Sequence, residues 1–93
     1  MSKAAKTLQR VLSGTSDANI AFRDLCHLLG VLGFAERIRG AHHIFTRSDI
    51  PEILNLQPRQ AKSKPYQVKQ VRQIILAHRL AANLKDDNEQ TGQ

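Results

Sequence analysis

The sequence has one cysteine, no long apolar run and no glycine-rich phosphate loop. The single cysteine, Cys26, excludes an intramolecular disulfide and a multi-cysteine zinc cluster, so packing alone must stabilise the fold. The apolar runs are far shorter than the roughly 18 residues of a membrane-spanning helix, and the N-terminal residues lack the apolar centre of a signal peptide. The missing phosphate loop disfavours an NTPase or a dinucleotide enzyme. We expect a soluble cytoplasmic protein.

Acidic residues are also missing from a long stretch, Ile53 to Lys85, which is rich in lysine and arginine. The net charge of +6 understates this bias, because Asp86, Asp87 and Glu89 lie in the polar C-terminal tail. Such a segment is the electrostatic footprint of a polyanion binder, and nucleic acid is the leading partner. A basic surface that serves only solubility is the alternative. The basic residues of the stretch are Arg59, Lys62, Lys64, Lys69, Arg72, Arg79 and Lys85.

The spacing of the apolar residues predicts three helices. Residues 1–14 hold a short amphipathic helix, and a second helix with a leucine stripe ends at Gly33. The last helix begins at Pro65, because proline suits a first helical turn, and ends near Ala81.

Between the second and third helices the pattern changes to short runs with β-branched and aromatic residues. We predict strands at Phe34–Arg39, His42–Arg47 and Glu52–Gln57. The order helix, helix, three strands, helix indicates an α+β fold in which helices cover one face of a small antiparallel sheet. A chain of 93 residues suits one small domain, here 1–81, followed by a flexible tail over 82–93.

The first two strands are joined by Gly40 and Ala41, which suggests a two-residue hairpin. Glycine at the first central position suits a type II′ turn, which needs a positive φ there. The turn then determines which residues lie opposite each other in the two strands. The predicted pairs are Arg39 with His42, Ile38 with His43, Arg37 with Ile44, and Glu36 with Phe45.

Alternation along the strands separates two adjacent histidines onto opposite faces of the sheet. We expect the more apolar face to lie against the helices, which makes His43 a partly buried structural residue. His42 falls on the outer face between arginines. The inner face collects Phe34, Ile38, His43 and Phe45, and the outer face collects Arg37, Arg39, His42, Ile44 and Thr46.

The outer histidine and arginines suit metal-free cleavage of RNA. Two guanidinium groups can hold a phosphate, and the imidazole of His42 can take or give a proton at the sugar or the leaving oxygen. Positive charge also stabilises a pentavalent phosphate. An ordinary exposed histidine is the alternative.

A metal site is a competing use of the histidine pair. Adjacent residues on a strand point to opposite faces, so His42 and His43 do not easily chelate one ion, and no carboxylate pair stands at a suitable spacing. We therefore expect no metal site. Cys26 lies beside the leucine stripe and is predicted to be a small buried apolar group, and His27 a surface or boundary histidine.

Taken together, these motifs resemble the HicA family of type II toxin–antitoxin systems, which are small mRNA interferases. The family's signature is a helix ending in GF, a basic strand, GSHH followed by two hydrophobic residues, and a C-terminal helix with KPxxVxxVRxIIL. The matching segments are LGFAERIRGAHHIF (32–45), EILNLQP (52–58) and KPYQVKQVRQIIL (64–76), within a resemblance that runs from about Asp17 to Leu80.

The resemblance implies a fold like that of double-stranded-RNA-binding domains, α-β-β-β-α, to which residues 1–14 add a helix. It implies cleavage of RNA without metal or other cofactor, and it gives the catalytic role to the histidine after the turn, which is His42 here. It also implies a HicB-type antitoxin protein that blocks the site.

The leading hypothesis is therefore an endoribonuclease toxin that cleaves mRNA, with His42 as general base or acid. Ala41 stands where the family usually has serine, so any hydrogen bond from that hydroxyl is missing. This keeps open a non-catalytic RNA-binding module of the same fold, and a third possibility is an interaction domain that binds only an acidic protein partner. The residues expected to hold phosphate are Arg37, Arg39, Lys62 and Lys64.

Overall fold

A computed structural model describes residues 2–82 and has the predicted α+β architecture. A three-stranded antiparallel sheet follows two helices and precedes a third, so the order after the first helix is α-β-β-β-α. A short 3₁₀ turn, Asp17–Asn19, joins the first two helices. The predicted tail, apart from Ala82, lies outside the described residues. The elements are α1 (Lys3–Ser13), α2 (Phe22–Val31), β1 (Ala35–Arg39), β2 (His42–Arg47), β3 (Ile50–Leu56) and α3 (Pro65–Ala77).

The last helix, α3, ends before the predicted Ala81 because the chain turns back on itself. Arg79 adopts a left-handed φ of 54°, and the Leu80 N–H donates to the Ile75 carbonyl at 3.0 Å, as in a Schellman motif. This turn buries the Leu80 side chain. The helix α2 ends in the same way. Gly33 has a positive φ of 96°, and the Phe34 N–H donates to the Leu29 carbonyl at 3.0 Å, so glycine ends this helix as predicted.

The sheet has the order β1-β2-β3, so β3 is an edge strand. It begins at Ile50, not at Glu52 as predicted, and it includes Pro51. Proline is tolerated here because the strand is at the edge, and because the β2–β3 ladder is irregular between Phe45 and Arg47.

One core lies between the inner face of the sheet and the three helices. The helix α1 contributes to this core, since it packs against α2 and α3 and its Leu8 and Val11 side chains are buried. Within residues 2–82, no helix is both long enough and apolar enough to cross a bilayer. The fully buried residues of the core are Val11, Ile20, Leu25, Leu28, Leu29, Phe45, Leu54, Leu56, Val68, Val71 and Ile75.

An ion pair joins α3 to the segment between α1 and α2. The Arg72 guanidinium donates to both carboxylate oxygens of Asp17, at 3.0 and 3.2 Å, and to the Val11 carbonyl at 2.9 Å. Both side chains are about four-fifths buried. Arg72 therefore serves the fold, although it belongs to the basic stretch that predicts a nucleic-acid partner.

We expect Asp17→Ala to lower the free energy of unfolding by about 1.5 to 3 kcal/mol, because it removes a hydrogen-bonded partner from a largely buried guanidinium. Urea denaturation measures this change. Lys3→Ala is the control, since Lys3 is exposed in its 3.3 Å ion pair with Asp24 and its loss should cost less than about 1 kcal/mol. Equal effects of the two substitutions would contradict the structural role of the Arg72 pair.

Candidate active site

The hairpin between β1 and β2 has the predicted register. Arg39 lies opposite His42, and Ile38 lies opposite His43. Gly40 has φ 59°, whereas Ala41 is not in the left-handed region, which is the φ pattern of a type II′ turn. Glycine is needed only at the first position, and this turn places His42 at the start of β2.

The two histidines lie on opposite faces of the sheet, as predicted. The side chain of His43 is 22% exposed and packs edge-on against the ring of Phe22, with 4.8 Å between centroids. One prediction for this face is wrong: Ile38 is 61% exposed instead of lying against the helices. All of β1 is exposed, so the residues beside the turn extend beyond the core that Phe45 helps to form.

On the outer face, the ring of His42 is held by a residue from β3. Its Nδ1 lies 3.0 Å from Oδ1 of Asn55. Because an amide oxygen only accepts hydrogen bonds, Nδ1 carries the proton and Nε2 of the neutral ring keeps its lone pair. This is the form of imidazole that acts as a general base.

Asn55 is itself positioned by the buried residue Gln67 of α3. The Gln67 side chain accepts from the Gln57 N–H at 3.2 Å and donates to the Asn55 carbonyl at 3.3 Å. These bonds satisfy backbone groups at the outer edge of β3 and tie this edge to α3. The strand β3 and the helix α3 therefore determine where Asn55, the partner of His42, lies.

Asn55 is not among the site residues predicted from the sequence, although the sequence contains a signal for it. Asn55 is the polar residue between two buried leucines, Leu54 and Leu56, so alternation alone places it on the outer face. Its distance from His42 depends on the β2–β3 register, which aligns Ile44 with Asn55. Because the β2–β3 ladder is irregular near Pro51, counting residues along the sequence does not predict this register.

Arg37 and Arg39 lie on β1, on the same face as His42. Arg39 is the direct cross-strand partner of His42, and Arg37 is the partner of Ile44. Both arginines are exposed, and within residues 2–82 neither forms an ion pair with a carboxylate. Their charge is therefore available to an anion that approaches His42.

Lys62 and Lys64 lie in the loop after β3, at the same end of the sheet as the Gly40 turn. Lys62 is on the helix side, because it forms a β-bridge with Ala21 just before α2. The structure therefore places both lysines near one end of the sheet and shows no direct contact between them and His42. Lys64 is the residue that precedes α3.

The turn that carries Lys62 is held in an unusual backbone conformation. Gln60 and Ala61 both have left-handed φ values, 52° and 68°, which costs a non-glycine residue on the order of 1 kcal/mol. Backbone hydrogen bonds across the turn compensate, and the Phe22 N–H donates to the Ala61 carbonyl at 3.0 Å. These bonds connect the position of Lys62 to the start of α2.

Beneath the hairpin the structure also brings together Cys26, Glu36 and His43, a group that the sequence did not predict. Nδ1 of His43 lies 2.7 Å from Oε2 of Glu36. Burial, and next the nearby charge of Glu36, raise the pKa of the Cys26 thiol to about 12. The thiol is therefore protonated at neutral pH. Cys26 packs against the core as a small apolar group but is half-buried, less than predicted.

A groove of about 710 Å³ opens at the opposite end of the sheet, next to Gly33, Arg47 and Asp49. Arg47 is already engaged there, since it donates to the Leu32 carbonyl at 2.7 Å and pairs with Asp49 at 2.8 Å. The groove thus has no part in the arrangement around His42.

No protein-family model, curated protein or solved structure matches this chain. The resemblance to the HicA family therefore rests on its motifs and stays a prediction.

We expect Asn55→Ala to move the proton of neutral His42 from Nδ1 towards Nε2, because the acceptor for Nδ1–H is lost. Imidazole ¹⁵N chemical shifts in alkaline buffer measure the two populations. His27, which is exposed on α2, is an internal control and should not change. Unaltered His42 shifts in the variant would show that Asn55 does not hold the ring.

Proposed function

We propose that this protein is a HicA-type toxin, an endoribonuclease that cleaves mRNA without a metal ion. The observation that carries the proposal is the setting of His42, which is exposed, bonded through Nδ1 to Asn55 and opposite Arg39. A histidine with one nitrogen held and the other accessible, next to cations, is suited to proton transfer at a phosphodiester.

In this mechanism Nε2 of His42 is the proton-transferring atom. As a base, it removes the proton of a ribose 2′-hydroxyl, whose oxygen then attacks the adjacent phosphorus and displaces the 5′-oxygen. As an acid, the protonated ring gives its proton to that leaving oxygen. Asn55 maintains the orientation of the ring in either role, because it accepts from Nδ1–H in both protonation states.

Arg37 and Arg39 supply the positive charge that the reaction needs. They are two residues apart on one strand, so their side chains share a face about 7 Å apart at the backbone. Guanidinium groups bind phosphate oxygens and stabilise the additional charge of a pentavalent phosphate. Lys62 and Lys64 attract the flanking phosphates of the RNA strand at the same end of the sheet.

A HicB-type antitoxin is the proposed protein partner, and it acts by covering His42. The outer face of the sheet suits such a partner, because it carries exposed apolar area next to the basic groups. Ile53, on the same strand as Asn55, is 61% exposed, and Ile44, the cross-strand partner of Asn55, is half-buried. With mRNA as substrate, the proposed place of action is the cytoplasm.

We expect the purified protein to cleave RNA in EDTA, and His42→Ala to reduce the rate by about 10²- to 10⁴-fold, which is the usual contribution of a general acid–base group. Electrophoresis of a labelled RNA measures the rate. Circular dichroism should show the same fold, because His42 is exposed.

His27→Ala is the matched control, since His27 is also exposed but lies on α2 and should leave cleavage unchanged. Cleavage that requires added metal, or that persists in His42→Ala, would refute the assignment.

Ala41 favours a second candidate, a non-catalytic RNA-binding module. Within the motif that resembles GSHH, alanine supplies no hydroxyl beside His42. Salt-sensitive RNA binding without cleavage by the unmodified protein, with cleavage gained in Ala41→Ser, would select this candidate. If RNA does not bind, an acidic protein partner becomes the better explanation of the basic surface.

We expect Arg39→Ala to weaken RNA binding and to lower the slope of log K against log salt by about 0.7, because one phosphate contact of a single strand is lost. Fluorescence anisotropy at several salt concentrations measures the slope. Arg72→Lys is the control, since Arg72 is engaged in the pair with Asp17. An unchanged slope for Arg39→Ala would exclude a phosphate contact at this position.

A further inference from the structure

Three side chains with metal-binding atoms meet on the helix side of the hairpin. Cys26 comes from α2, Glu36 from β1 and His43 from β2. Their sulfur, oxygen and nitrogen ligand atoms all lie within 4.8 Å of one another. Glu36 and His43 share this face because Glu36 is opposite Phe45 and is thus the diagonal neighbour of His43.

The triangular arrangement argues against a nucleophilic role for Cys26. In a cysteine–histidine–carboxylate relay, the imidazole separates the thiol from the carboxylate. Here the sulfur of Cys26 lies close to Glu36 as well as to His43, and the carboxylate helps to raise the pKa of the thiol. A reactive cysteine needs the opposite effect, a lowered pKa.

The same triangle suits a cation. Thiolate, imidazole and carboxylate are the ligands that zinc prefers, and three protein ligands plus one water are typical of a zinc site with an open position. Tetrahedral zinc places its ligand atoms roughly 3.3 to 3.7 Å apart. The longest separation, at most 4.8 Å, would have to shorten by no more than about 1.5 Å, and the 2.7 Å between Nδ1 of His43 and Oε2 of Glu36 would have to lengthen by about 0.6 Å.

We propose that Cys26, Glu36 and His43 form a site for zinc or a similar thiophilic divalent cation. The cation takes the place of the proton between Nδ1 of His43 and Oε2 of Glu36 and of the proton on the thiol. A dipositive ion also offsets the cost of placing a thiolate beside the Glu36 carboxylate in a partly buried position.

Part of the site is already positioned. The ring of Phe22 meets the ring of His43 at an interplanar angle of 76°, and Glu36 holds Nδ1. Cys26 is partly buried against the core, so its position is determined by packing. A bound cation would join α2 to both strands of the hairpin and so stabilise the strand that carries His42, from the face opposite to its ring.

The test uses the full chain without an affinity tag, titrated with Co²⁺ as a spectroscopic substitute for zinc. We expect one equivalent of Co²⁺ to give a sulfur-to-metal charge-transfer band and intense tetrahedral d–d bands. Zinc should displace the cobalt and raise the Tm by several degrees, since it binds the folded state. Cys26→Ser and Glu36→Gln should each abolish the charge-transfer band or weaken Co²⁺ binding at least about tenfold.

A second histidine–carboxylate pair in the chain is a matched control. His78 lies 2.9 Å from Glu52, and this contact lowers the pKa of Glu52, but within the described part of the chain no cysteine joins the pair as a third ligand. His78→Gln should therefore leave the cobalt spectrum unchanged. If Cys26→Ser fails to fold, the cobalt titration of Glu36→Gln tests the site instead, because Glu36 is exposed and its substitution should leave the fold intact.

The absence of a thiolate band and of a zinc-dependent Tm shift would overturn the proposal. A charge-transfer band that survives in Cys26→Ser, or that is lost in His78→Gln, would also overturn the proposal, because either result would show that the cation binds at another site. The site is independent of the proposed RNA cleavage: His42→Ala should keep the cobalt band, and Cys26→Ser should keep cleavage in EDTA.

Discussion

The positive φ of Gly40 in the β1–β2 turn is the constraint that determines which hairpin residues face outward and which face the helices. A strand repeats every two residues, so a shift of the register by one residue would exchange His42 and His43. With the observed register, His42 faces outward beside Arg39, and His43 packs against Phe22. The position of the His42 site and that of the Cys26–Glu36–His43 site thus both depend on one turn. The two sites are separate because they lie on opposite faces of the sheet.

The support for His42 comes from elements distant in the chain. Asn55 holds the ring, and Gln67 of α3 holds the backbone of Asn55. Through this chain of hydrogen bonds, the orientation of an exposed histidine beside a hairpin turn depends on Gln67, a buried residue of α3. The arginines of β1, in contrast, depend only on the hairpin itself.

Local patterns in the sequence predict most of the fold. The apolar spacing indicates all three helices, and the Gly40 turn with strict alternation predicts the β1–β2 pairs correctly. The errors concern ends and edges. The start of β3 at Ile50 depends on an edge position that tolerates proline, and the exposure of Ile38 depends on how far the helices extend over the sheet.

By itself the sequence determined the α+β class, the hairpin register, the outward position of His42 with its arginines, and the motifs that resemble HicA. These follow from relations between near neighbours, which turn chemistry and strand periodicity control. Only the tertiary structure decided that Asn55 meets His42, and that Cys26 and Glu36 meet His43. Such contacts join different elements, and their distances depend on the β2–β3 register and on the packing of α2 against the sheet, which no spacing along the chain encodes.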